Sequence, residues 1–294
     1  MKKSFVVLSV CIFLLTACQP PTLPDGQLSS NFSDRPTAFP IQPADDLNEA
    51  SGLADSHKQP GLLWSHEDAA SPNELFLINR QGQIVAKMIT PFGNLDWEDI
   101  AIGPGPITNE TYLYVGDIGD NANSIDVKTI YRFIEPSSPQ NPITNFDRIR
   151  FRYPDGTFDA ETLLLDPITK DLYVVTKWLA NAHLYRLPYP QNTESIITAQ
   201  KVGQMTIGND LTGGSISTDG REIIVRGYSA IHYWQRKIDE PLTEILLRAP
   251  LKNLPYVVEP QGEAVCFDKD GKGYFTLSER RLVPTVNLYF YERR

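Results

Sequence analysis

From residue 37 onward the chain alternates between short apolar runs and polar, turn-forming stretches. The runs are rich in Val, Ile, Tyr and Phe, and the stretches between them contain Pro, Gly, Asp and Asn. This pattern is typical of short β-strands joined by tight turns. Because the helical spacing of apolar residues is almost absent, the pattern predicts an all-β domain.

The strand pattern repeats along the chain. Five segments each combine a first strand with a turn, and four of the five begin with Glu. They start at Glu49, Glu98, Glu161, Gly213 and Glu263, at spacings of 49, 63, 52 and 50 residues. Each repeat continues with a second and a third strand, and the first four repeats continue with a fourth. The predicted fourth strands are residues 83–89, 147–153, 197–205 and 242–248.

Four antiparallel strands in each repeat predict a β-propeller. The fifth repeat ends after its third strand, and a strand-like stretch at 37–42 precedes the first repeat. We therefore predict one five-bladed propeller domain over residues 37–294, in which the N-terminal strand completes the last blade. A six-bladed alternative would divide the long second repeat, whose extra length we assign to loops at 104–110 and 118–127. A β-sandwich would not explain the regular return of Glu.

The first residues of the chain predict export. Lys2 and Lys3 precede an apolar run at 5–15, which is shorter than the roughly 20 residues that cross a bilayer. Such a run is typical of a cleaved signal peptide, here residues 1–17. Residues 18–36 are rich in Pro, Ser and Asp and lack hydrophobic periodicity, which predicts a flexible tether.

The signal peptide ends in Leu15-Thr16-Ala17-Cys18, which resembles the lipobox of bacterial lipoproteins. The resemblance implies that Cys18 carries a diacylglycerol group and palmitate-type acyl chains, which suffice for a stable membrane anchor. Because Gln19 is not Asp, it also implies the outer membrane of a Gram-negative cell envelope. In a Gram-positive host the anchor would lie in the plasma membrane. The alternative is an ordinary signal peptide followed by a chance cysteine.

Charge and cysteine content narrow the range of functions. Loss of Lys2 and Lys3 with the signal peptide changes the formal net charge from −9 to −11, which argues against a nucleic acid partner. Of the three cysteines only Cys266 stays unmodified in a lipidated mature chain, so no intrachain disulfide can form. Cys266 lies in an apolar run and is expected to be buried. We expect a monomer.

Propeller geometry predicts where polar side chains meet. The first strands line the central channel, so Glu49, Glu98, Glu161, Gly213 and Glu263 are expected to form one ring. The ends of the second strands are expected near one mouth of the channel, namely Glu67, Asp117, Lys177, Arg226 and Glu279. Crowded carboxylates raise one another's pKa. Lys177 and Arg226, a divalent metal or a cationic ligand could offset the repulsion; alternatively, each Glu accepts hydrogen bonds in a structural role.

One loop is rich in hard oxygen donors. Asp117, Asp120 and Asn121 lie around a Gly in residues 117–123. Together with Glu98 they are candidate ligands for Ca²⁺, which takes about 6–8 oxygens in flexible geometry. The alternative is a polar turn, because Asp, Gly and Asn are common turn residues.

Several catalytic motifs are missing from the sequence. It contains no G-x-S-x-G elbow, no Walker phosphate loop and no paired histidines at zinc spacing. A metal-dependent hydrolase would use Glu98, Asp117 and Glu161 as ligands, with His66 or Glu67 as base. Otherwise His66 is a surface-loop residue. The four tryptophans are expected in the core between blades rather than stacked on a sugar.

Two stretches resemble a largely uncharacterised family of secreted bacterial propeller proteins. They are residues 96–105 (Asp-Trp-Glu-Asp-Ile-Ala-Ile-Gly-Pro-Gly) and residues 112–121 (Tyr-Leu-Tyr-Val-Gly-Asp-Ile-Gly-Asp-Asn). Further matching stretches are 159–161, 172–177 and 262–264. The resemblance spans roughly residues 48–282 and implies the fold but no reaction. More distantly, the chain is similar to calcium-dependent phytases and gluconolactonase-like hydrolases, which place metal-binding carboxylates at the channel mouth.

The sequence therefore favours a ligand-binding or interaction propeller on the cell envelope with a carboxylate-rich central pocket. Its ligand would be a small molecule or a protein. The alternatives are a calcium-dependent hydrolase of esterase, lactonase or phosphoesterase type and a glycosidase, which would use two carboxylates of the ring.

Overall fold

The computed structural model describes residues 29–69, 71–177, 181–208 and 210–294. The predicted signal peptide, Cys18 and the tether up to residue 28 lie outside the described residues. Within the described ranges the chain forms twenty-one β-strands and one short helix. They are β1 Thr37–Pro40, β2 Ala50–Asp55, β3 Leu62–Glu67, β4 Glu74–Asn79, β5 Ile84–Ile89, β6 Trp97–Pro104, β7 Thr111–Asp117, β8 Lys128–Ile134, β9 Asp147–Arg152, β10 Ala160–Leu165, β11 Leu172–Thr176, β12 His183–Leu187, β13 Ile197–Thr198, β14 Gln200–Gln204, β15 Leu211–Ile216, β16 Glu222–Gly227, β17 Ile231–Gln235, α1 Leu242–Leu247, β18 Lys252–Asn253, β19 Gln261–Phe267, β20 Gly273–Glu279 and β21 Asn287–Glu292.

The strands assemble into five sheets, which we number as blades in chain order. Blade 1 is β2 to β5, blade 2 is β6 to β9, blade 3 is β10, β11, β12 and β14, blade 4 is β15 to β18, and blade 5 is β19, β20, β21 and β1. The innermost strands β2, β6, β10, β15 and β19 form a closed ring, since each contacts the next and β19 contacts β2. Five sheets around a central channel make a five-bladed β-propeller. The predicted fold is confirmed, and the six-bladed alternative is wrong.

The N-terminal strand closes the ring, as predicted. β1 pairs antiparallel with β21, from Thr37 opposite Phe290 to Pro40 opposite Asn287. It supplies the fourth strand that the C-terminal part of blade 5 lacks. This pairing ties the beginning of the domain to its end and covers an edge of β21 that would otherwise be free.

The described part of the predicted tether packs against the propeller. Phe32 forms a β-bridge with Arg293, and its side chain is only 6% exposed. Its ring meets Tyr274 edge-on at 5.0 Å and Tyr233 at 6.3 Å, in the space between blades 4 and 5. Burial of this apolar ring extends the packed domain ahead of the predicted boundary at residue 37.

The predictions for two outer strands are wrong in detail. Residues 242–248 form helix α1 instead of a strand. Its buried residues Leu242, Ile245 and Leu246 follow the i, i+3, i+4 spacing of a helix face, not the alternation of a strand. The outer strand of blade 4 is the two-residue β18. Residues 197–205 are divided, because β13 pairs in parallel with β9 of blade 2 and only β14 completes blade 3.

Five apolar clusters fill the five spaces between neighbouring blades. Trp64 and Trp97 are buried between blades 1 and 2, and Trp234 is buried between blades 3 and 4. These three tryptophans lie in the core as predicted, while Trp178 lies outside the described residues. Cys266 is buried between blades 5 and 1, where it packs as a small apolar side chain, again as predicted.

Candidate functional site

A β-bulge recurs at the same place in every inner strand. In each blade the register between the inner and the second strand shifts by one residue near the start of the inner strand. The bulged residues are Ser51, Glu98, Glu161, Thr212 and Glu263. A bulge leaves one residue without a ladder partner and redirects its side chain. The repeated bulge therefore places five equivalent residues at one end of the channel, which we call the mouth.

The bulges correct the repeat alignment suggested by the sequence. In blades 1 and 4 the equivalent residues are Ser51 and Thr212 rather than Glu49 and Gly213. The Ser51 hydroxyl donates to the carbonyl of Glu98 at 2.6 Å, and the Thr212 hydroxyl donates to a blade 5 carbonyl at 2.8 Å. The hydroxyl residues thus connect neighbouring blades, and blades 2, 3 and 5 supply the carboxylates.

A second set of equivalent positions lies two residues before the bulges. Its members are Glu49, Asp96, Asp159, Asp210 and Gln261. In blades 2 and 3 the two positions together read Asp-x-Glu, as Asp96-Trp97-Glu98 and Asp159-Ala160-Glu161. The regular return of Glu does not point to Asp96 and Asp159. The Asp-x-Glu motif, which occurs in both blades, would have identified them. Glu49 belongs to this outer set and is exposed.

Five carboxylates converge at the mouth in two overlapping groups. In the first group an oxygen of each of Asp68, Asp96 and Glu98 lies within 4.8 Å of the others. In the second group the same holds for Glu98, Asp159 and Glu161. Asp68 follows β3 of blade 1, so three neighbouring blades contribute. We call these five residues the carboxylate cluster.

Several buried oxygens in and beside the carboxylate cluster have no hydrogen-bond partner among the described residues. They are Asp96 Oδ1, Asp159 Oδ2, Glu161 Oε2 and, on the adjacent Glu263, Oε2. Burial and the charges of Asp68 and Asp159 raise the pKa of Asp96 to about 7. Burial and the charge of Glu161 raise the pKa of Glu98 well above its ordinary value. The cluster is therefore unfavourable in its ionised form unless a positive charge joins it.

Lys177, one of the two cations expected at the mouth, lies beside this cluster. Its ammonium group pairs with Glu161 and donates to Tyr228 Oη at 2.8 Å. Burial opposes the ionisation of Lys177, but Glu161 and Glu263 outweigh it and raise its pKa. Tyr228 and Gln261 both donate to Glu263, at 3.0 and 2.8 Å. The predicted ring did not include Tyr228 and Gln261, although Tyr228 is the equivalent of Lys177 at the end of a second strand and Gln261 lies two residues before Glu263.

Arg226, the other predicted cation, lies elsewhere. It is completely buried and pairs with Glu259 at 2.9 Å. It also donates to Tyr256 Oη and to the Ala264 carbonyl, both at 2.7 Å. These contacts connect blade 4 to the start of blade 5, so Arg226 has a structural role between the two blades.

Asp99 closes the channel beneath the carboxylate cluster. Its carboxylate accepts the backbone N–H groups of Leu163 in blade 3 at 2.9 Å and of Gly214 in blade 4 at 3.1 Å. Blades 2 and 4 are not neighbours, so this side chain crosses the channel. A ligand therefore reaches the adjacent residue, Glu98, from the mouth.

The oxygen donors predicted in the loop 117–123 are largely used by the residues that directly follow this loop. The Asp120 carboxylate pairs with Lys128 at 3.1 Å and accepts the N–H groups of Ser124 and Ile125 at 2.9 and 2.7 Å. Burial opposes the ionisation of Asp120, but these contacts outweigh it and lower its pKa. Asn121 is exposed. Neither Asp120 nor Asn121 belongs to the two carboxylate groups around Glu98.

This loop instead holds two members of the cluster in position. Asp117 accepts the backbone N–H of Asp96 at 2.8 Å, and the backbone N–H of Asp120 donates to Asp159 at 2.7 Å. A Cβ atom on Gly119 would overlap the carboxylates of Glu98 and Asp96. Only glycine allows the backbone to approach the carboxylates this closely.

The remaining candidates occupy different environments. Glu67 accepts two backbone N–H groups of the loop before β2, at 2.7 and 3.3 Å. Burial and the charge of Glu263 raise the pKa of Glu279 to about 8. His66 is completely buried, its ring lies edge-on to Trp97 at 5.7 Å, and burial lowers its pKa to about 4. His66 is therefore a core residue between blades 1 and 2 rather than a surface-loop residue.

Comparisons with known proteins give only distant similarities in structure. No family model matches the sequence, and no curated protein matches it. A solved structure of the Dos1 propeller is similar at 14% identity and a TM-score of 0.39, covering 83% of this chain and 68% of that chain. A nidogen/laminin complex is similar at 13% identity and a TM-score of 0.45, covering 79% and 72%. The strand topology itself establishes the propeller, and the resemblance to secreted bacterial propellers stays a prediction.

No helix in the described ranges has the length and apolar character needed to cross a membrane.

Proposed function

We propose that this protein is a ligand-binding propeller that holds a divalent cation at its mouth, with Ca²⁺ the best match. The supporting observation is the carboxylate cluster, whose buried oxygens lack hydrogen-bond partners among the described residues. Within each of the two groups, the three oxygens lie close enough together to surround one Ca²⁺ at close to its usual distance of about 2.3–2.6 Å. The candidate ligands are Asp68, Asp96, Glu98, Asp159 and Glu161. Asp117 and Asp120 then act by positioning Asp96 and Asp159.

The cation would supply a positive charge that attracts an oxygen of the ligand. Lys177 and Tyr228 lie beside Glu161 and Glu263, so their N–H and O–H groups can donate to the same ligand. Asp99 blocks the channel below, which limits the ligand to the mouth. This chemistry suits a small molecule or a protein segment rich in oxygen acceptors.

The proposed location is the cell envelope. The lipobox resemblance at Cys18 supports a lipid anchor, in the outer membrane of a Gram-negative host or the plasma membrane of a Gram-positive one. The formal charge of −9 for the whole chain argues against a nucleic acid partner. We propose a monomer, since the five blades close on themselves through β1.

Hydrolysis is the second candidate function. The observation that favours it is the contact between Lys177 and Tyr228 next to Glu161, where a proton could be delivered to a substrate oxygen. The test is turnover of chromogenic esters, lactones, phosphoesters and glycosides, in Ca²⁺ and in EDTA. Turnover that is lost in EDTA and in Tyr228→Phe would support a metal-dependent hydrolase. Glycoside turnover that persists in EDTA would instead favour a glycosidase.

The experiment for the first function is thermal unfolding of the purified protein in EDTA and in excess Ca²⁺. A ligand at 100 times its Kd stabilises the folded state by about 2.7 kcal/mol, which corresponds to a Tm increase of roughly 5–10 °C for a domain of this size. Asp159→Asn should reduce the increase strongly. The matched control is Asp270→Asn, in an exposed residue of the loop at the opposite end of the channel, which should keep it. An unchanged Tm with Ca²⁺, Mg²⁺ and Mn²⁺ would rule out the cation site.

A further inference from the structure

We infer that the mouth holds two divalent cations, with the Glu98 carboxylate shared between them. The inference rests on the proposed function and adds a second cation to it. Asp68 and Asp96 meet Glu98 in one group of oxygens, whereas Asp159 and Glu161 meet it in the other. Each group alone offers three oxygens within 4.8 Å of one another, which is enough to begin the coordination of one cation.

The repeat structure places the same chelating unit in two adjacent blades. Blades 2 and 3 both carry Asp-x-Glu on the same bulge, whereas blade 1 carries Glu49 and Ser51 at these positions and blade 5 carries Gln261 and Glu263. The bulge fixes the direction of the Glu in each blade. The two units are therefore neighbours around the ring, and Glu98 stands where they meet.

Charge balance favours two cations over one. The five carboxylates of the cluster, the adjacent Glu263 and the ammonium group of Lys177 together carry a net charge of −5 when ionised. One divalent cation would leave −3 among these side chains, and two would leave −1. Uncompensated charge is costly in such surroundings. The four unpartnered oxygens in and beside the cluster are the acceptors that the cations would satisfy.

A shared carboxylate is chemically suited to this position. A carboxylate has two oxygens with about four lone-pair directions, and metal ions in paired sites lie roughly 3.5–4 Å apart. The backbone of Gly119 packs directly against Glu98 and Asp96, so these carboxylates cannot turn away from the mouth on that side. The pair of cations would occupy the space between blades 1, 2 and 3.

The test is the stoichiometry of Ca²⁺ binding to the purified full-length protein, by isothermal titration after EDTA treatment and by native mass spectrometry. We expect two Ca²⁺ per chain for the unaltered protein and for the Asp270→Asn control. Asp68→Asn and Asp159→Asn should each keep one. Loss of even an outer partner of a metal ligand weakens binding about 10–100-fold, so Glu98→Gln should weaken both sites by more than about tenfold.

The outcomes separate this inference from the proposed function. One Ca²⁺ per chain would overturn the pair and leave the cation site intact, whereas none would overturn both. Two Ca²⁺ that both survive Asp68→Asn would place the second ion elsewhere and also overturn the pair. A second measurement uses only the unaltered protein, so it does not depend on whether the variants fold. Protein loaded with two equivalents of Mn²⁺ should show the electron paramagnetic resonance signal of an exchange-coupled pair. Signals of isolated Mn²⁺ ions would contradict the inference.

Discussion

Neutralisation of Glu98 should stabilise the metal-free protein. Glu98→Gln keeps the shape of the side chain and removes a buried negative charge that lies within 4.8 Å of carboxylate oxygens in both groups. A substitution at a residue that is only 3% exposed usually lowers stability. Here the negative charge of Glu98 itself destabilises the folded protein, so we expect Glu98→Gln to raise the free energy of unfolding.

Coulomb repulsion gives the size of the effect. Repulsion between unit charges at 4.8 Å is about 3–4 kcal/mol at an effective dielectric constant of about 20. Burial and this repulsion also keep the pKa of Glu98 well above its ordinary value. We therefore expect Glu98→Gln to gain about 3 kcal/mol near pH 8, or roughly 5–10 °C in Tm.

The free energy of unfolding should change with pH in a defined direction. Because the pKa of Glu98 is raised in the folded protein, the folded state binds more protons than the unfolded state between the two pKa values. The free energy of unfolding of the unaltered protein should therefore fall as the pH rises from about 4.5 to the folded pKa. Near pH 5 the advantage of Glu98→Gln should shrink to less than about 1 kcal/mol.

The assay is urea unfolding in EDTA at about pH 5 and pH 8. The control is Asp120→Asn, in the loop beside the cluster. That carboxylate accepts two backbone N–H groups and pairs with Lys128, and its pKa is lowered, so its replacement should destabilise by about 1–3 kcal/mol at both pH values. A Glu98→Gln protein that is no more stable than the unaltered protein at pH 8 would show that Glu98 is not repelled by its neighbours and would refute the reasoning.

Two further substitutions test other parts of the structure. Asp117→Asn should keep the Ca²⁺-induced increase in Tm, because Asp117 lies outside both oxygen groups and Asn can still accept the N–H of Asp96. If calorimetry showed that the increase is lost, Asp117 would have to be counted among the Ca²⁺ ligands. Phe32→Ala should lower the free energy of unfolding by about 3 kcal/mol through the cavity it leaves, with Ca²⁺ stoichiometry unchanged; an unaltered urea midpoint would mean that the segment around Phe32 does not belong to the cooperative unit.

Much of the fold could be predicted from the sequence, because each blade is built from local patterns that recur. The closure by residues 37–42 was also predictable, since the fifth repeat lacks one strand. The outer strand of blade 4 could not be predicted in the same way. Leu242, Ile245 and Leu246 fit a helix as well as an apolar strand of seven residues, and their packing against neighbouring blades decides between them.

The carboxylate cluster was predicted only in part. The returning Glu identified Glu98 and Glu161, and second-strand ends identified Lys177. Asp68 was passed over in favour of Glu67, although Asp68 is the equivalent of Lys177: their backbone N–H groups bond to the equivalent carbonyls of Glu49 and Asp159. Arg226 was misplaced by two positions, because Tyr228 and not Arg226 is the equivalent of Lys177 in the strand register.

The segment around Phe32 determines the face of the domain from which the chain continues towards its N-terminus. Arg294 N–H bonds to the Asn31 carbonyl at 2.8 Å, and Arg293 bonds to the carbonyl of Gly271 at 2.6 Å. Both ends of the domain thus leave from the face of the loop that joins β19 and β20, opposite the mouth. On the proposal that Cys18 carries a lipid anchor, the ten residues 19–28 span at most about 36 Å, so the face opposite the mouth would stay within that distance of the membrane surface.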